Sequence, residues 1–472
     1  MISPMPMKVI VSTLIHVIVI FWLTVIINKP IFAQDTILNW RAYYGGEGLE
    51  EAKSIRQLSG GGYIMAGSTD SRSGDITQSF GRKDAWALRL DPNGQLIWQL
   101  SLGGRNDDEA SSITIGQDGR YGLAGYTTFS RKNKDNNHGG KDVLFALIDI
   151  NGKPIRQTCF GGSEAEAANS IQSTADGGYI LAGYTFSNDG QVSGNHGKQD
   201  AWVIKLNAAG ELVWQHCYGG SANDEATDIK ETYSGDFVIT GHTYSRDGDI
   251  TENKGKSDYW VFVIDTAGNI LGQRTLGGSG NDKAAAITPT FDGGYAIGGS
   301  TTSSDGDVSG YHGMEDFWVV KLNPEGTIEW QHAFGGNKDD VATALVQTLD
   351  GGFGVGGYTY SFYEDINENS GKCDFWILKL DSSGKMEWES SLGDKNWEVA
   401  NCLEATADYG LIIAGYSESR EKDFSTFENT GDVNLDNGQN DCCGTGIIWA
   451  GALIYDLLKP RLVFRDIWVV KF

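Results

Sequence analysis

The chain has 472 residues, among them 64 glycines, 14 tryptophans and 19 tyrosines but only 8 prolines. Its formal net charge of −25 argues against nucleic acid and anionic membrane surfaces as partners, and leaves cations or neutral and cationic ligands. Glycine beside so many aromatics suits many short strands joined by tight turns.

In chain order, Lys8 precedes an apolar run from Val9 to Ile27, and "NKPIFAQ" places Ile31 and Ala33 at the −3 and −1 positions of a cleavage site. This predicts a secretory signal peptide over residues 1–33; the run is also long enough, at about 19 residues, for an uncleaved anchor. The expected location is therefore secreted, periplasmic or at the cell surface, with no membrane contact apart from that anchor. Next comes "ILNWRAYYGG", a strand signal with no companion strands before it.

From there the chain repeats. Gly45, Gly103, Gly161, Gly219, Gly277, Gly335 and Gly393 are spaced by 58 residues without a slip, and Ala52 and Gly67 begin two further series in the same step. In the third unit the strand signals are "AANSIQST", "YILAGYT", "AWVIKL" and "ELVWQHCY" (strands A to D), separated by "ADGG", a long polar loop and "NAAG". Alternating apolar and polar residues with glycine at the turns indicate β-strands. Four strands per unit and seven units predict an all-β, seven-bladed propeller with four-stranded antiparallel blades, spanning 37–472.

The last unit ends at "DIWVVKF", a strand C with no strand D after it. Trp40 stands in the phase of Trp98, Trp214, Trp330 and Trp388, so the N-terminal strand is predicted to close blade 7 in a 3+1 arrangement. A covariation supports this. Strand C carries Arg89, Lys205, Lys321, Lys379 or Lys471 where strand D carries tryptophan, whereas blades 2 and 4 have Leu147 with Arg156 and Val263 with Gly272. The spacing centres a two-residue loop on pairs such as Asn93-Gly94. It predicts that Lys471 faces Trp40, with the cation resting on the indole.

Propeller connectivity places the D–A links and long B–C loops on one face, and the tight A–B and C–D turns on the other. Blade 7 adds an insertion at about 420–465 on the long-loop face, including the apolar run "GIIWAGALIYDLL". Glu50, Asp108, Glu166, Asp224, Asp282, Asp340 and Glu398 recur two residues before the alanine series. They are expected at the mouth of the central channel, either bonding their own D–A turns or forming a cation-attracting ring. Asp84, Asp142, Asp200, Asp258, Asp316, Asp374 and Asp466 precede every strand C and are expected to tie down the B–C loops. Asp75 and the pairs Asp247/Asp249 and Asp305/Asp307 in "DGD" loops, and Asp432, Asn434 and Asp436 in the insertion, are candidate calcium ligands, calcium favouring hard oxygens. No closing glutamate completes a calcium loop, so a solvated polar loop stands beside that reading. His138, His196 and His312 share one loop phase too dispersed for a common metal. Cys159, Cys217 and Cys402 are expected as free thiols, and Cys373 is a candidate disulfide partner of Cys442.

The pattern "GGSxNDEAxxIxxTxDGGYxxAGYTxSxDGD…DxWVxKLxxxGxxxWQ" resembles the 58-residue β-propeller repeats of secreted and surface proteins of Bacteroidota-like bacteria, and the likeness covers Trp40 to Phe472. The resemblance implies the fold and says little about activity. The leading expectation is a non-enzymatic monomer that binds an unknown protein or glycan partner through its acidic long-loop face. The alternatives are a glycan hydrolase or lyase with carboxylates at the channel mouth, and a calcium-stabilised spacer; no cofactor other than Ca2+ is suggested.

Overall fold

The computed structural model describes residues 38–128, 138–367, 369–418 and 465–472. They form twenty-eight strands in seven four-stranded antiparallel sheets, a seven-bladed β-propeller. In blade 1 the strands are A Glu50–Gln57, B Tyr63–Thr69, C Asp84–Leu90 and D Leu96–Leu102. Blades 2 to 6 repeat that order, and blade 7 runs A Glu398–Ala405, B Leu411–Ser417, C Asp466–Lys471 and then Trp40–Tyr44. The closing ladder pairs Trp40 with Lys471 and Tyr44 with Ile467, and Glu50 N–H donates to Arg465 O at 2.8 Å. The segment 1–33, the insertion and Cys442 lie outside the described residues.

Burial explains the strand composition. Each blade packs against a neighbour on both faces, so strand B "YIMAGST" and strand C "DFWVVKL" are buried at every position. Strand C tryptophans Trp86, Trp202, Trp260, Trp318 and Trp376 are among the largest fully buried side chains. Each passes its Nε1–H to a strand D side chain, as Trp86 does to Gln99 at 2.8 Å and Trp376 to Glu389 at 3.0 Å. Strand D, outermost, is exposed or half-buried along most of its length and buried only at its last two residues.

Every A–B ladder contains a bulge, between Ala52 and Ser54 in blade 1 and at the same phase elsewhere. The extra residue leaves the ladder, and its side chain sews the inner ring together. Asn169 Nδ2 donates to Ala226 O at 2.9 Å, Thr227 Oγ1 to Ala284 O at 3.0 Å, Thr343 Oγ1 to Ala400 O at 2.9 Å and Asn401 Nδ2 to Ala52 O at 2.8 Å.

Two details of the hairpins differ from expectation. The C–D loop is not a two-residue turn: Asp91 N–H bonds Gln95 O, and the register shifts between Arg89 and Leu90. Gly94, at φ +80°, supplies the left-handed bulge residue. The bulge restores the cross-strand pairing Arg89↔Trp98. The cation, moreover, does not settle on the ring in the blades of Lys205 and Lys321. Lys205 Nζ lies 2.8 Å from Asp176, Lys321 2.9 Å from Asp292, Lys379 3.0 Å from Asp350 and Lys471 2.9 Å from Asp408. The lysine stem runs along strand C until its ammonium reaches a carboxylate of the A–B turn.

Candidate functional site

The long-loop face is built, in blades 1, 3, 4, 5 and 6, by docking the B–C loop onto the preceding D–A link. In blade 4, Asp249 N–H bonds Gly219 O at 2.9 Å and Gly219 N–H bonds Asp249 Oδ2 at 3.1 Å. Asp247 Oδ1 accepts from Ser221 N–H at 2.8 Å, and the Ser221 bonds hold that carboxyl below the usual range. Blade 5 repeats this with Asp307 on Gly277 at 3.2 Å and Asp305 on Ser279 at 2.7 Å, and blade 1 with Asp75 on Gly45 at 3.0 Å. The "DGD" carboxylates thus fasten loops. Among the described residues no group of three or more His, Cys, Asp or Glu side chains is placed to hold a metal ion; Asp432, Asn434 and Asp436 lie outside them.

The seven carboxylates expected at the channel mouth are elsewhere. Glu50, Asp108, Glu166, Asp224, Asp282, Asp340 and Glu398 are all 0% exposed. Glu50 accepts from Gly46 N–H and Thr69 Oγ1–H, both at 2.8 Å. Asp224 accepts from Gly220 N–H at 2.8 Å and Ser245 Oγ–H at 2.7 Å. Glu398 accepts from Asp394 N–H and Ser417 Oγ–H, both at 3.0 Å. The reason is strand alternation. A residue two positions before the buried alanine points to the same side, into the blade interface, while the channel receives the bulge residues. The turn-bonding reading therefore describes these groups, and a charged ring at the mouth does not.

Each is paired with the strand C aspartate of the preceding blade. A Cβ on Gly277 would meet Asp282 Oδ2 at 2.5 Å and Asp258 Oδ1 at 2.9 Å; on Gly335 it would meet Asp316 Oδ1 at 2.7 Å and Asp340 Oδ2 at 2.8 Å. The invariant phase of Gly45 is thus a steric requirement. The strand C aspartates do cap the loops: Asp258 Oδ2 accepts from Lys254 N–H and Asp374 Oδ2 from Ser370 N–H, both at 2.7 Å. His138, His196 and His312 bring their Nδ1 to 3.1, 2.7 and 3.3 Å from Asp142, Asp200 and Asp316. Burial pushes Asp258, Asp316 and Asp374 up to about 6, and raises Glu50, Asp108, Asp282 and Asp340.

The channel wall holds what the repeat pattern hides. A cavity of about 290 Å³ is lined by Lys53, Arg56, Asp228, Lys230 and Glu404 on one side and by alanine, leucine and valine of blades 5 and 6 on the other. Its charges are internally matched: Lys53–Glu51 at 2.5 Å, Arg56–Glu404 at 3.3 Å and Lys230–Asp228 at 2.6 Å. Departures from repeat identity in strand A were the sequence signal for this asymmetry.

Cys373 is a buried free thiol, its Sγ 3.5 Å from Glu398 O, and burial pushes it up to about 12. Cys159, Cys217 and Cys402 are free as well.

Fold and loop geometry define a seven-bladed β-propeller with one plain face and one loop-bearing face. No family model matches the chain. It is similar to regulatory protein FlaEY of Caulobacter vibrioides, 22% identical over 326 residues, which are 61% of this chain and 34% of that protein. The chain thus spans about a third of the length of that curated relative. Among solved structures, Kuenenia stuttgartiensis hydrazine synthase is 10% identical with a TM-score of 0.48, covering 81% of this chain and 95% of that one. BamB of Moraxella catarrhalis is 13% identical with a TM-score of 0.36, covering 79% and 92%. A Bacteroides caccae protein of unknown function is 12% identical with a TM-score of 0.38, covering 65% and 90%.

Proposed function

We propose that this chain is an exported, non-enzymatic binding propeller that recognises a protein or glycan partner through its long-loop face, with the blade 7 insertion as the specificity element. One observation carries the reading. The acidic groups repeated from blade to blade on that face are spent on fastening loops and links, as with Asp247, Asp249 and Asp224. What remains to differ between blades is the loop surface itself, and binding residues favour variable loops on a rigid scaffold. The hydrolase or lyase alternative needs two carboxylates free to act on one substrate, whereas these are each engaged by backbone or hydroxyl donors of their own loop or link. Export rests on the 1–33 segment as read from the sequence, and calcium enters only through Asp432, Asn434 and Asp436.

The test is a screen of the mature chain against glycan arrays and extracellular protein fractions, in calcium and in chelator. It is run beside a variant whose residues 419–464 are replaced by a short B–C loop from another blade. Binding that is lost with the insertion supports the proposal. A ligand captured equally by both chains discards the insertion as the specificity element, and turnover of a glycan by the chain discards the non-enzymatic reading.

A further inference from the structure

Trp40, Trp98, Trp214 and Trp330 of strand D do more than face strand C: each reaches into a socket on the next blade. Trp98 Nε1–H donates to Ile150 O at 3.2 Å, Trp214 to Thr266 O at 3.1 Å and Trp330 to Ser382 O at 3.2 Å, always 52 residues further on. The wall of the socket is an aromatic residue of the next strand B. Trp40 lies 5.8 Å from Tyr63, Trp98 6.0 Å from Tyr121 and Trp330 5.6 Å from Phe353, between ring centroids. Its floor is the glycine of the next C–D turn. A Cβ on Gly94 would meet Trp40 at 2.8 Å, on Gly152 would meet Trp98 at 2.7 Å, and on Gly384 would meet Trp330 at 2.6 Å.

Blade 4 has Gly272 where the tryptophan belongs, yet the rest of the socket is present. Tyr295 stands as the wall, Gly326 as the floor, and Pro324 holds the place in the repeat of Ile150, Thr266 and Ser382. A Cβ added to Gly272 or to Gly326 would meet nothing within 4 Å. The space is a cavity of about 480 Å³ lined by Val263, Gly272, Arg274, Tyr295, Leu322 and Pro324. Tyr63, Tyr121, Phe237 and Phe353 are each at most 3% exposed under their tryptophans, whereas Tyr295 is only partly buried. Blade 2 also lacks the tryptophan, but there the socket is plugged. The Phe145 ring lies 5.5 Å from Tyr179 and a Cβ on Gly210 would meet it at 2.5 Å. Arg120 takes Ala208 O at 3.3 Å and Arg156 takes Ala209 O at 3.2 Å. Loss of the tryptophan therefore does not by itself open the socket; in blade 4 Arg274 reaches Gly326 O, but no ring fills the space over Gly272 and Gly326.

We propose that the cleft between blades 4 and 5 is a docking site for a tryptophan side chain presented by a separate polypeptide. The indole lies between Tyr295 and Gly326 and its N–H donates to the Pro324 carbonyl. Occupant and site are matched by the chain's own examples, which seat an indole in the equivalent cleft. Arg274, which donates to Gly326 O at 2.9 Å, borders the ring and supplies a cation for its face. Glu252 and Glu325 line the same cleft with Lys254 and Arg274; Lys254 is paired with Asp307, so the rim keeps a net negative charge and a tryptophan flanked by basic residues complements it. This site is distinct from the long-loop reading and stands or falls separately.

Saturation-transfer NMR of the full chain with N-acetyl-tryptophanamide tests it. Wild type should transfer saturation to the indole protons at millimolar ligand. N-acetyl-phenylalaninamide should bind about fivefold more weakly, having lost one neutral hydrogen bond. Gly272→Trp, which installs the chain's own solution, should abolish binding while raising the melting temperature; Tyr295→Leu, which keeps the wall apolar, should weaken it and guards against a misfolded first variant. A Lys-Trp-Lys peptide should bind more tightly than the amide, and less so as salt is raised. No transfer to wild type, or equal transfer to wild type and both variants, overturns the site. Equal affinity for amide and peptide overturns the polypeptide partner.

Discussion

Replacing Asp258 by asparagine should stabilise the propeller at neutral pH, and by about a third as much at pH 4.5. Asp258 is 0% exposed; its Oδ2 accepts from Lys254 N–H, and its Oδ1 has no hydrogen-bond partner among the described residues. That oxygen and Asp282 Oδ2 both abut Gly277, so two buried carboxylates confront each other across the blade interface. Burial, reinforced by the Asp282 charge, pushes Asp258 from 3.8 up to about 6. A raised carboxyl stabilises the fold below its unfolded pKa and loses that contribution as pH climbs through the folded value. Ionising Asp258 thus costs about 3 kcal/mol by pH 7.5, and Asp316 and Asp374, also raised to about 6, act in the same direction. Other groups oppose them at lower pH. Against the push of burial, bonds from Lys205 and Thr174 hold Asp176 at about 2, and bonds from Thr290 and Lys321 hold Asp292 there; their contribution is lost as pH falls towards that value. Wild type should therefore be most stable near pH 4 and weaken between about pH 4 and 6, from the unfolded to the folded value of Asp258. An asparagine at 258 keeps an acceptor for Lys254 and offers Asp282 an N–H. Urea midpoints measured from pH 4 to 8 should show Asp258→Asn gaining up to about 3 kcal/mol over wild type at pH 7.5. A wild-type midpoint that rises from pH 4.5 to 7.5, or a variant destabilised equally at both, would refute the reasoning.

Gly335→Ala drives a methyl into Asp316 and Asp340 and should cost about 1–3 kcal/mol; a urea midpoint within error of wild type would show that the carboxylate pair yields freely. Tyr409 is 76% exposed and sits at φ +67°, where the other six A–B turns carry Gly61, Gly119, Gly177, Gly235, Gly293 and Gly351. The left-handed penalty of about 1–2 kcal/mol, less glycine's entropy cost, predicts that Tyr409→Gly gains about 0.5–1 kcal/mol; a loss of stability would show that the ring packs in solution. A chain beginning at Gly45 lacks the strand Trp40–Tyr44 and leaves Asp466–Lys471 as an open edge. It should aggregate in size-exclusion runs and melt early, and co-melting with the full chain would mean that the ring is held by other contacts.

Much of the fold was legible because repetition turns one chain into seven readings of one problem. The 58-residue step, the stranded N-terminal "ILNWRAYY" and the matched phases of Trp40 and Lys471 predicted a closure that the ladder shows residue for residue. Periodicity reports local backbone geometry and which positions recur, and both are properties of the sequence alone. It does not report direction where a bulge breaks alternation. Glu50 and its six counterparts are expected at the channel mouth, bonding their own turns or forming a ring; alternation before the bulge sets them in the blade interface on the side of Ala52, and the bulge residue Lys53 lines the channel instead. Nor does it report which neighbour supplies a partner. The lysines of strand C stand opposite tryptophans as their spacing predicts, and the periodicity does not show that their ammonium groups also reach Asp176, Asp292, Asp350 and Asp408 in the A–B turns. The contrast between blades 2 and 4 shows the limit most plainly. Both lose the tryptophan in the same register, and only packing decided that Phe145 closes one socket while the cleft over Gly326 stays open. A missing side chain is visible in the sequence, but a cavity is a property of everything around it.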